Sequence, residues 1–334
     1  MLKKILILCS CLIFSLLLVA CGDTDTQKDD QAAQANKKVT VVLDWTPNTN
    51  HTGLYVALKK GYFAEEGLDV EIVQPGDNVA NQLVATGKAQ FGVSYQEEVN
   101  FARQSGVPVV SIAAVIQHNT SCYASPVAAG ITEIKDFSGK KYGGWGGEVE
   151  EALFQYMLDQ KLIGEPVENI NIGSTDFFTA VDSGTIDFSW IFYAWTGIEA
   201  EVRGMDLNCI YLKDINPAFD YYTPVLVASE DLLANDPDLA KAFLSAVSKG
   251  YEYCVQNPDD AAAILLEYAP ELNADLVKQS QEWLANQYIA DADQWGTQKL
   301  EVWQNYADWM TENGLMAEGF DANAAFSNDF LPNK

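Results

Sequence analysis

The chain has 334 residues, and 47 acidic against 20 basic side chains leave it a formal charge of −27. Nucleic acids and acidic membrane surfaces both select basic patches, so this balance excludes them as electrostatic partners. Past the leader described next, about 300 residues remain, enough for two ordinary domains or one large one.

Lys3 and Lys4 open an apolar run over residues 5–19 that ends in Leu18-Val19-Ala20-Cys21. A run this short, with small residues before a cysteine, reads as a secretory signal rather than a spanning helix. Its ending resembles the bacterial lipobox, in which the cysteine, here Cys21, is lipidated and becomes the new N-terminus. Residues 22–37 are rich in Asp, Gln, Ala, Thr and Lys and hold no aromatic side chain. Such a segment buries too little surface to fold and reads as a flexible tether.

From Lys38 onward, short β-rich runs alternate with helical ones, the pattern of an α/β protein. Strands are expected at 39–44, 68–73, 90–94 and 107–116. Helices are expected at 51–60, 79–86 and 97–104, the first two stopped by Gly61 and Gly87 and the third followed by Gly106. A second unit covers about 130–220, with strands at 141–143, 169–172 and 186–191 and helices at 148–159, 177–183 and 197–202. A strand at 223–229 follows, and the remainder reads as helix at 237–256, 258–267, 274–287 and 298–313. The two units echo each other. Val84, Gly87 and Phe91 recur at the same spacing as Val181, Gly184 and Phe188. Two similar α/β lobes that close over a ligand by hinge motion account for this pattern. The first lobe is assigned 38–125 and 223–334, the second 126–222.

Arg103 and Arg203 are the only arginines. Arginine's bidentate fork suits carboxylate, sulfonate and phosphate ligands, and neither residue stands where a ligand site is expected, which lowers the case for an anion without excluding one held by lysine or backbone amides. Cys9 and Cys11 leave with the signal. Cys122, Cys209 and Cys254 remain, lack the spacing of a zinc site, and read as three buried free thiols. No metal is expected.

The segment Leu43-Asp-Trp-Thr-Pro-Asn-Thr-Asn-His-Thr-Gly-Leu-Tyr-Val-Ala57 is followed by Lys60-Gly-Tyr-Phe-Ala-Glu-Glu-Gly-Leu-Asp-Val70, Gly106-Val-Pro-Val109, Asp136-Phe-Ser-Gly-Lys-Lys141 and Gly184-Thr-Ile-Asp187. Together, over about residues 38–270, these resemble the thiamine-pyrimidine synthase-like family. The resemblance implies a bilobed type II periplasmic-binding-protein fold whose strand ends and loops line a cleft. In the enzymatic branch of that family, a lysine and a histidine serve pyridoxal phosphate chemistry. Ser94 and Glu98 stand at those positions here, so no Schiff-base lysine is present there and the chain reads as a binder without cofactor.

Ligands of open α/β sheets sit beyond the carboxyl ends of strands. Trp45 follows the first strand, where an indole can stack on a flat heterocycle. Asn48 and His51 follow; His51 either donates to a ligand or caps the turn. Ser94, Tyr95 and Glu97 follow the third strand. Trp145 lies in Gly143-Gly-Trp-Gly-Gly-Glu148, a glycine run before a helix, where backbone amides could also cradle an anion and Glu148 suits the helix start. Tyr193 and Trp195 end the aromatic stretch after the second lobe's echo strand. Asp220 and Tyr222, with Tyr221 between them, precede the return to the first lobe and could serve hinge or cleft. Trp283, Trp295, Trp303 and Trp309 have amphipathic spacing and read as packing.

The resulting expectation is a lipid-anchored, extracytoplasmic, monomeric solute-binding component of an ABC importer, with the permease as partner. Its ligand is a small heteroaromatic compound, foremost a thiamine pyrimidine precursor of hydroxymethyl or formylamino type. An alkylsulfonate or nitrate-type anion and a flavin are the other ligand readings, and a synthase-like enzyme is the alternative from another class.

Overall fold

The first sheet is built from apolar runs that are fully buried at Phe91–Ser94, Val109–Ala114 and Val225–Ser229 and alternate with exposed charges at its edge, Leu68–Val73. The computed structural model describes residues 36–76, 79–173 and 175–333; the expected leader, Cys21 and the tether as far as residue 35 lie outside the described residues. β1 (Lys37–Val42) leads through a turn to α1 (Thr52–Lys59) and the short α2 (Tyr62–Glu65). β2 (Leu68–Val73), α3 (Ala80–Ala85), β3 (Phe91–Ser94), α4 (Gln96–Gln104) and β4 (Val109–Ala114) follow. The second sheet uses β5 (Ser121–Pro126), β6 (Lys141–Gly144), α5 (Glu148–Asp159) and β7 (Glu168–Asn171). It continues with α6 (Phe177–Asp182), β8 (Phe188–Phe192), a π-helical turn (Tyr193–Gly197) into α7 (Ile198–Arg203), β9 (Leu207–Tyr211) and α8 (Leu212–Ile215). The chain then returns with β10 (Val225–Ser229), α9 (Glu230–Asn235) and α10 (Pro237–Gln256). α11 (Pro258–Tyr268), α12 (Ala274–Ala285), α13 (Leu300–Glu312) and α14 (Ala322–Ala325) complete it.

The strand orders are β2-β1-β3-β10-β4 and β7-β6-β8-β5-β9. In each sheet the first three strands are parallel and the fourth runs antiparallel to both neighbours. The sequence echo thus marks equivalent strands, β3 and β8. Gly87 and Gly184 precede them at φ 70° and 67°, a left-handed conformation that glycine adopts without steric cost.

Two strands differ from expectation by being present at all. β5 and β9 were not anticipated, and the expected lobe boundary at 125/126 falls inside β5. Residues 115–120 and 220–224 are the two crossovers, tied by the Val115 amide donating to the Pro224 carbonyl at 3.0 Å.

α10 holds α1 in place by backbone proximity. A Cβ on Gly250 would lie 2.1 Å from the Gly53 carbonyl oxygen, so only glycine permits this crossing. Phe243 of α10 stacks on Phe91 of β3 with ring centroids 3.8 Å apart. The second core gathers Tyr123, Phe137, Tyr142, Phe154 and Phe188 under α5. The C-terminal tryptophans pack: Trp295 stacks on Tyr251 at 4.6 Å, Trp303 on Phe326 at 5.7 Å, and Trp309 meets Phe219 edge-on at 4.9 Å. Cys122 and Cys254 are buried and Cys209 is half-buried, all three as free thiols.

Candidate functional site

The loop after β1 is built around His51, which is fully buried. Its Nδ1 accepts the Asn48 amide at 3.2 Å, so the ring proton sits on Nε2, 2.7 Å from an Asp44 carboxylate oxygen. Both ring nitrogens are therefore committed to the turn. Asn48 is committed as well: its Oδ1 accepts the Asn50 amide at 2.9 Å and its Nδ2 donates to the Thr46 carbonyl at 3.1 Å. Among the candidates of this loop, Trp45 alone is presented outward, 69% exposed.

Beyond β3, Ser94 is buried at the strand end, and Tyr95 is half-buried. Burial holds the Tyr95 phenol well above its ordinary range, aided by the charges of Glu98, Glu97 and Asp44. Glu97 accepts the Tyr306 hydroxyl at 2.6 Å. Its carboxyl is pushed up to about 7, chiefly by burial and further by the charges of Glu98, Glu150 and Glu148, against the Tyr306 bond. Burial also raises Glu98. Glu97 of α4, in the first lobe, thus lies within electrostatic reach of Glu148 and Glu150 of α5, in the second.

In the second lobe the β6–α5 turn presents Trp145, 58% exposed. Glu150 folds back beneath it and accepts the backbone amides of Trp145 and Gly147 at 3.0 and 2.9 Å. Two amides of the glycine run read from sequence as an anion cradle, those of Trp145 and Gly147, are thereby occupied.

Other candidates are drawn elsewhere. The Tyr193 ring lies 5.4 Å from Trp283 and its hydroxyl donates to Glu201. Trp195 packs, partly buried, on the core of the first lobe, while Ser280 of α12 donates to the Ala194 carbonyl. This segment joins the lobes along α12. Both Asp220 carboxylate oxygens are engaged at the crossovers, one by His118 Nδ1 at 2.7 Å and one by the Asn119 amide at 2.8 Å. Tyr222 is buried in the first lobe, its hydroxyl accepting the Lys299 amide at 2.9 Å. Asp220 is thus held between the two crossovers, and Tyr222 lies in the first lobe's core.

Sequence reasoning overlooked Asp44, Glu98 and Glu150, which require the tertiary structure to be recognised. It also overlooked Phe192, which ends β8 and is 40% exposed; the strand's alternating pattern held the signal, but its phase was open. The buried Asn81 side chain, at the start of α3, has no hydrogen-bond partner among the described residues. Both arginines are engaged elsewhere. Arg103 donates to the Val109 carbonyl and Glu230, and Arg203 pairs with Glu199 and lies 4.1 Å from the centre of the Phe178 ring.

Two α/β lobes of equivalent strand order, joined by paired crossovers, define the bilobed fold of periplasmic binding proteins. Over 86% of its length the chain superimposes on 91% of the periplasmic aliphatic sulphonate binding protein SsuA of Escherichia coli, with a TM-score of 0.67 at 14% identity. Residues 48–261 match the model of the NMT1/THI5 like family, and the chain belongs to that family. It is 31% identical over 330 residues to the formylaminopyrimidine-binding protein of Halalkalibacterium halodurans, an alignment covering 95% of this chain and 97% of the relative. It is also 27% identical over 261 residues to the 4-amino-5-hydroxymethyl-2-methylpyrimidine phosphate synthase THI11 of Saccharomyces cerevisiae, with 72% and 73% of the two chains covered.

Proposed function

We propose that this protein captures a neutral or cationic heteroaromatic molecule, foremost a thiamine pyrimidine precursor of formylamino or hydroxymethyl type, and delivers it to the permease of an ABC importer. It acts outside the cytoplasm as a monomer, anchored through a lipid on Cys21, and catalyses no reaction. The observation that carries the ligand reading is the pairing of two outward tryptophans, Trp45 and Trp145, with a carboxylate cluster of Asp44, Glu97, Glu98 and Glu150, while both arginines are spent elsewhere.

The chemistry fits. Indole faces stack on a flat ring, and the edge of an aminopyrimidine presents an amino donor beside a ring-nitrogen acceptor. A carboxyl group titrating near neutrality can accept from the first and, when protonated, donate to the second. An anionic ligand would meet this cluster unfavourably. The likeness to the formylaminopyrimidine-binding protein supports the same ligand class. Ser94 and Glu98, in the positions of the enzymatic branch's lysine and histidine, support binding over synthesis.

The test is a thermal-shift and calorimetric screen of residues 38–334 against hydroxymethyl- and formylaminomethyl-aminopyrimidines, thiamine, riboflavin, taurine and nitrate. A ligand at 100 times its dissociation constant stabilises the native state by about 2.7 kcal/mol. A shift with an aminopyrimidine upholds the proposal. A shift confined to taurine or nitrate overturns the aromatic-clamp reading.

A further inference from the structure

The turn between β6 and α5 has the makings of an oxyanion site. A 12-residue helix starts there, its first amides carry the positive end of the helix dipole, and glycines allow close backbone approach. In this chain the place is taken from within. Glu150, the third residue of α5, is only 5% exposed. Its Oε2 accepts the Gly147 amide at 2.9 Å and the Trp145 amide at 3.0 Å, and its Oε1 accepts the Tyr142 hydroxyl at 2.5 Å.

The fit is close. A Cβ on Gly144 would lie 2.5 Å from Glu150 Oε1, so the carboxylate sits flush against the glycine backbone. The space left beside it is about 30 Å³, bounded by Tyr142, Gly144, Gly147 and Asn171. With the carboxylate in place that admits roughly one or two water molecules.

We infer that Glu150 is a specificity-determining residue, an internal anion that fills the cradle and makes the protein reject ligands bearing a phosphate or sulfonate group. The inference deepens the reading of a pyrimidine binder and rests on it for the ligand's ring. The selected class is then the unphosphorylated heterocycle, with its phosphate monoester excluded. Glu150 acts as a positioning residue through the Trp145 and Gly147 amides, and an external oxyanion would have to displace a carboxylate that is already bonded three ways.

The experiment titrates wild type, Glu150→Ala and Glu150→Gln with 4-amino-5-hydroxymethyl-2-methylpyrimidine, its phosphate monoester and inorganic sulfate, following tryptophan fluorescence and heat. Wild type should prefer the free alcohol over the monoester by about tenfold or more and leave sulfate unbound. Both variants should narrow that preference, and Glu150→Ala should gain sulfate affinity. Glu150→Gln keeps the side chain's volume and one acceptor, so it carries the test if the alanine variant fails to fold. Wild type binding the monoester as tightly as the alcohol overturns the inference. So do folded variants that lose pyrimidine affinity while gaining none for monoester or sulfate, since a merely structural Glu150 would behave that way. If no variant binds any pyrimidine, the ligand reading falls, and sulfate gained by Glu150→Ala still decides whether the carboxylate fills an anion site.

Discussion

Replacing His118 by glutamine should destabilise the protein more at mildly acidic than at alkaline pH. His118 lies on the first crossover with both ring nitrogens facing carboxylates, Nδ1 2.7 Å from Asp220 on the second crossover and Nε2 3.0 Å from Asp291 before α13. An imidazolium donates to both; a neutral ring has one N–H and must forfeit one contact. The bond and charge of Asp220, then those of Asp291, raise the His118 pKa above its ordinary value against the opposing effect of burial. The other charged group facing this cluster is Lys299, 3.7 Å from Asp291. Because the folded value is raised, the stabilisation is complete below the unfolded value of about 6.5 and disappears as pH rises through the folded one. A hydrogen bond to a charged group contributes about 1.5–3 kcal/mol. The Asp291 side chain is 61% exposed, so its contact falls toward the ~0–1 kcal/mol of surface pairs. The Asp220 contact, with side chains 33% and 29% exposed, is also partly screened. About 2 kcal/mol in total is the result at low pH. Urea unfolding of wild type and His118→Gln at about pH 6 and about pH 9 measures it, and the difference between the two proteins should shrink to under ~1 kcal/mol at the higher pH. A difference that is equal at both values, or that grows with pH, refutes the clamp.

Trp45→Ala and Trp145→Ala should each weaken aminopyrimidine binding by ~1–3 kcal/mol, by analogy with base stacking on aromatic side chains, and shift unfolding little because both indoles are exposed; calorimetry beside a thermal melt separates the two effects. Glu97, raised to about 7, binds its proton more tightly folded than unfolded, so its contribution lowers stability as pH rises from about 4.5 to 7. Glu97→Gln should flatten both that slope and the pH dependence of ligand affinity around neutrality, and an unchanged affinity profile would show that Glu97 does not read the ligand. Gly250→Ala places a Cβ 2.1 Å from the Gly53 carbonyl and should cost about 1–3 kcal/mol or more in chemical denaturation, because the neighbour is backbone and cannot rotate away.

The parts of this fold that could be read from sequence are those whose pattern is local. Val39, Val41 and Val42 announce β1, and Val225 and Val227 announce β10, since β-branched residues suit a pleated, buried surface. β5, Ser-Cys-Tyr-Ala-Ser-Pro, has no β-branched residue, and its identity as a strand comes only from pairing with β8 and β9, more than sixty residues onward. The site divides the same way. The outward exposure of Trp45 and Trp145 was legible because each follows a strand beside turn-forming residues. The fates of His51, Asp220 and Tyr222 were not, because the partners that commit them, Asp44, His118 and the Lys299 amide, are chosen by tertiary structure. Glu97 was legible as a position, but its raised pKa depends on burial and on the charges of Glu98 beside it and of Glu150 and Glu148 in the other lobe.

The strand orders carry a consequence for how the chain acquires its shape. Every strand of the second sheet comes from the single stretch between Ser121 and Tyr211, whereas the first sheet cannot close until β10 arrives to separate β3 from β4. The helices that cover it, α10 and α11, come later still. Emerging from its N-terminus, the chain can pair β2, β1 and β3 at once, but one edge of β3 and the whole of β4 must wait unpaired for β10 while the middle of the sequence is free to mature. Closing that long loop carries an entropic cost which grows only slowly with its length, so delay rather than instability is the main burden. The unfinished first sheet is the stage at which aggregation or capture by a chaperone would intervene.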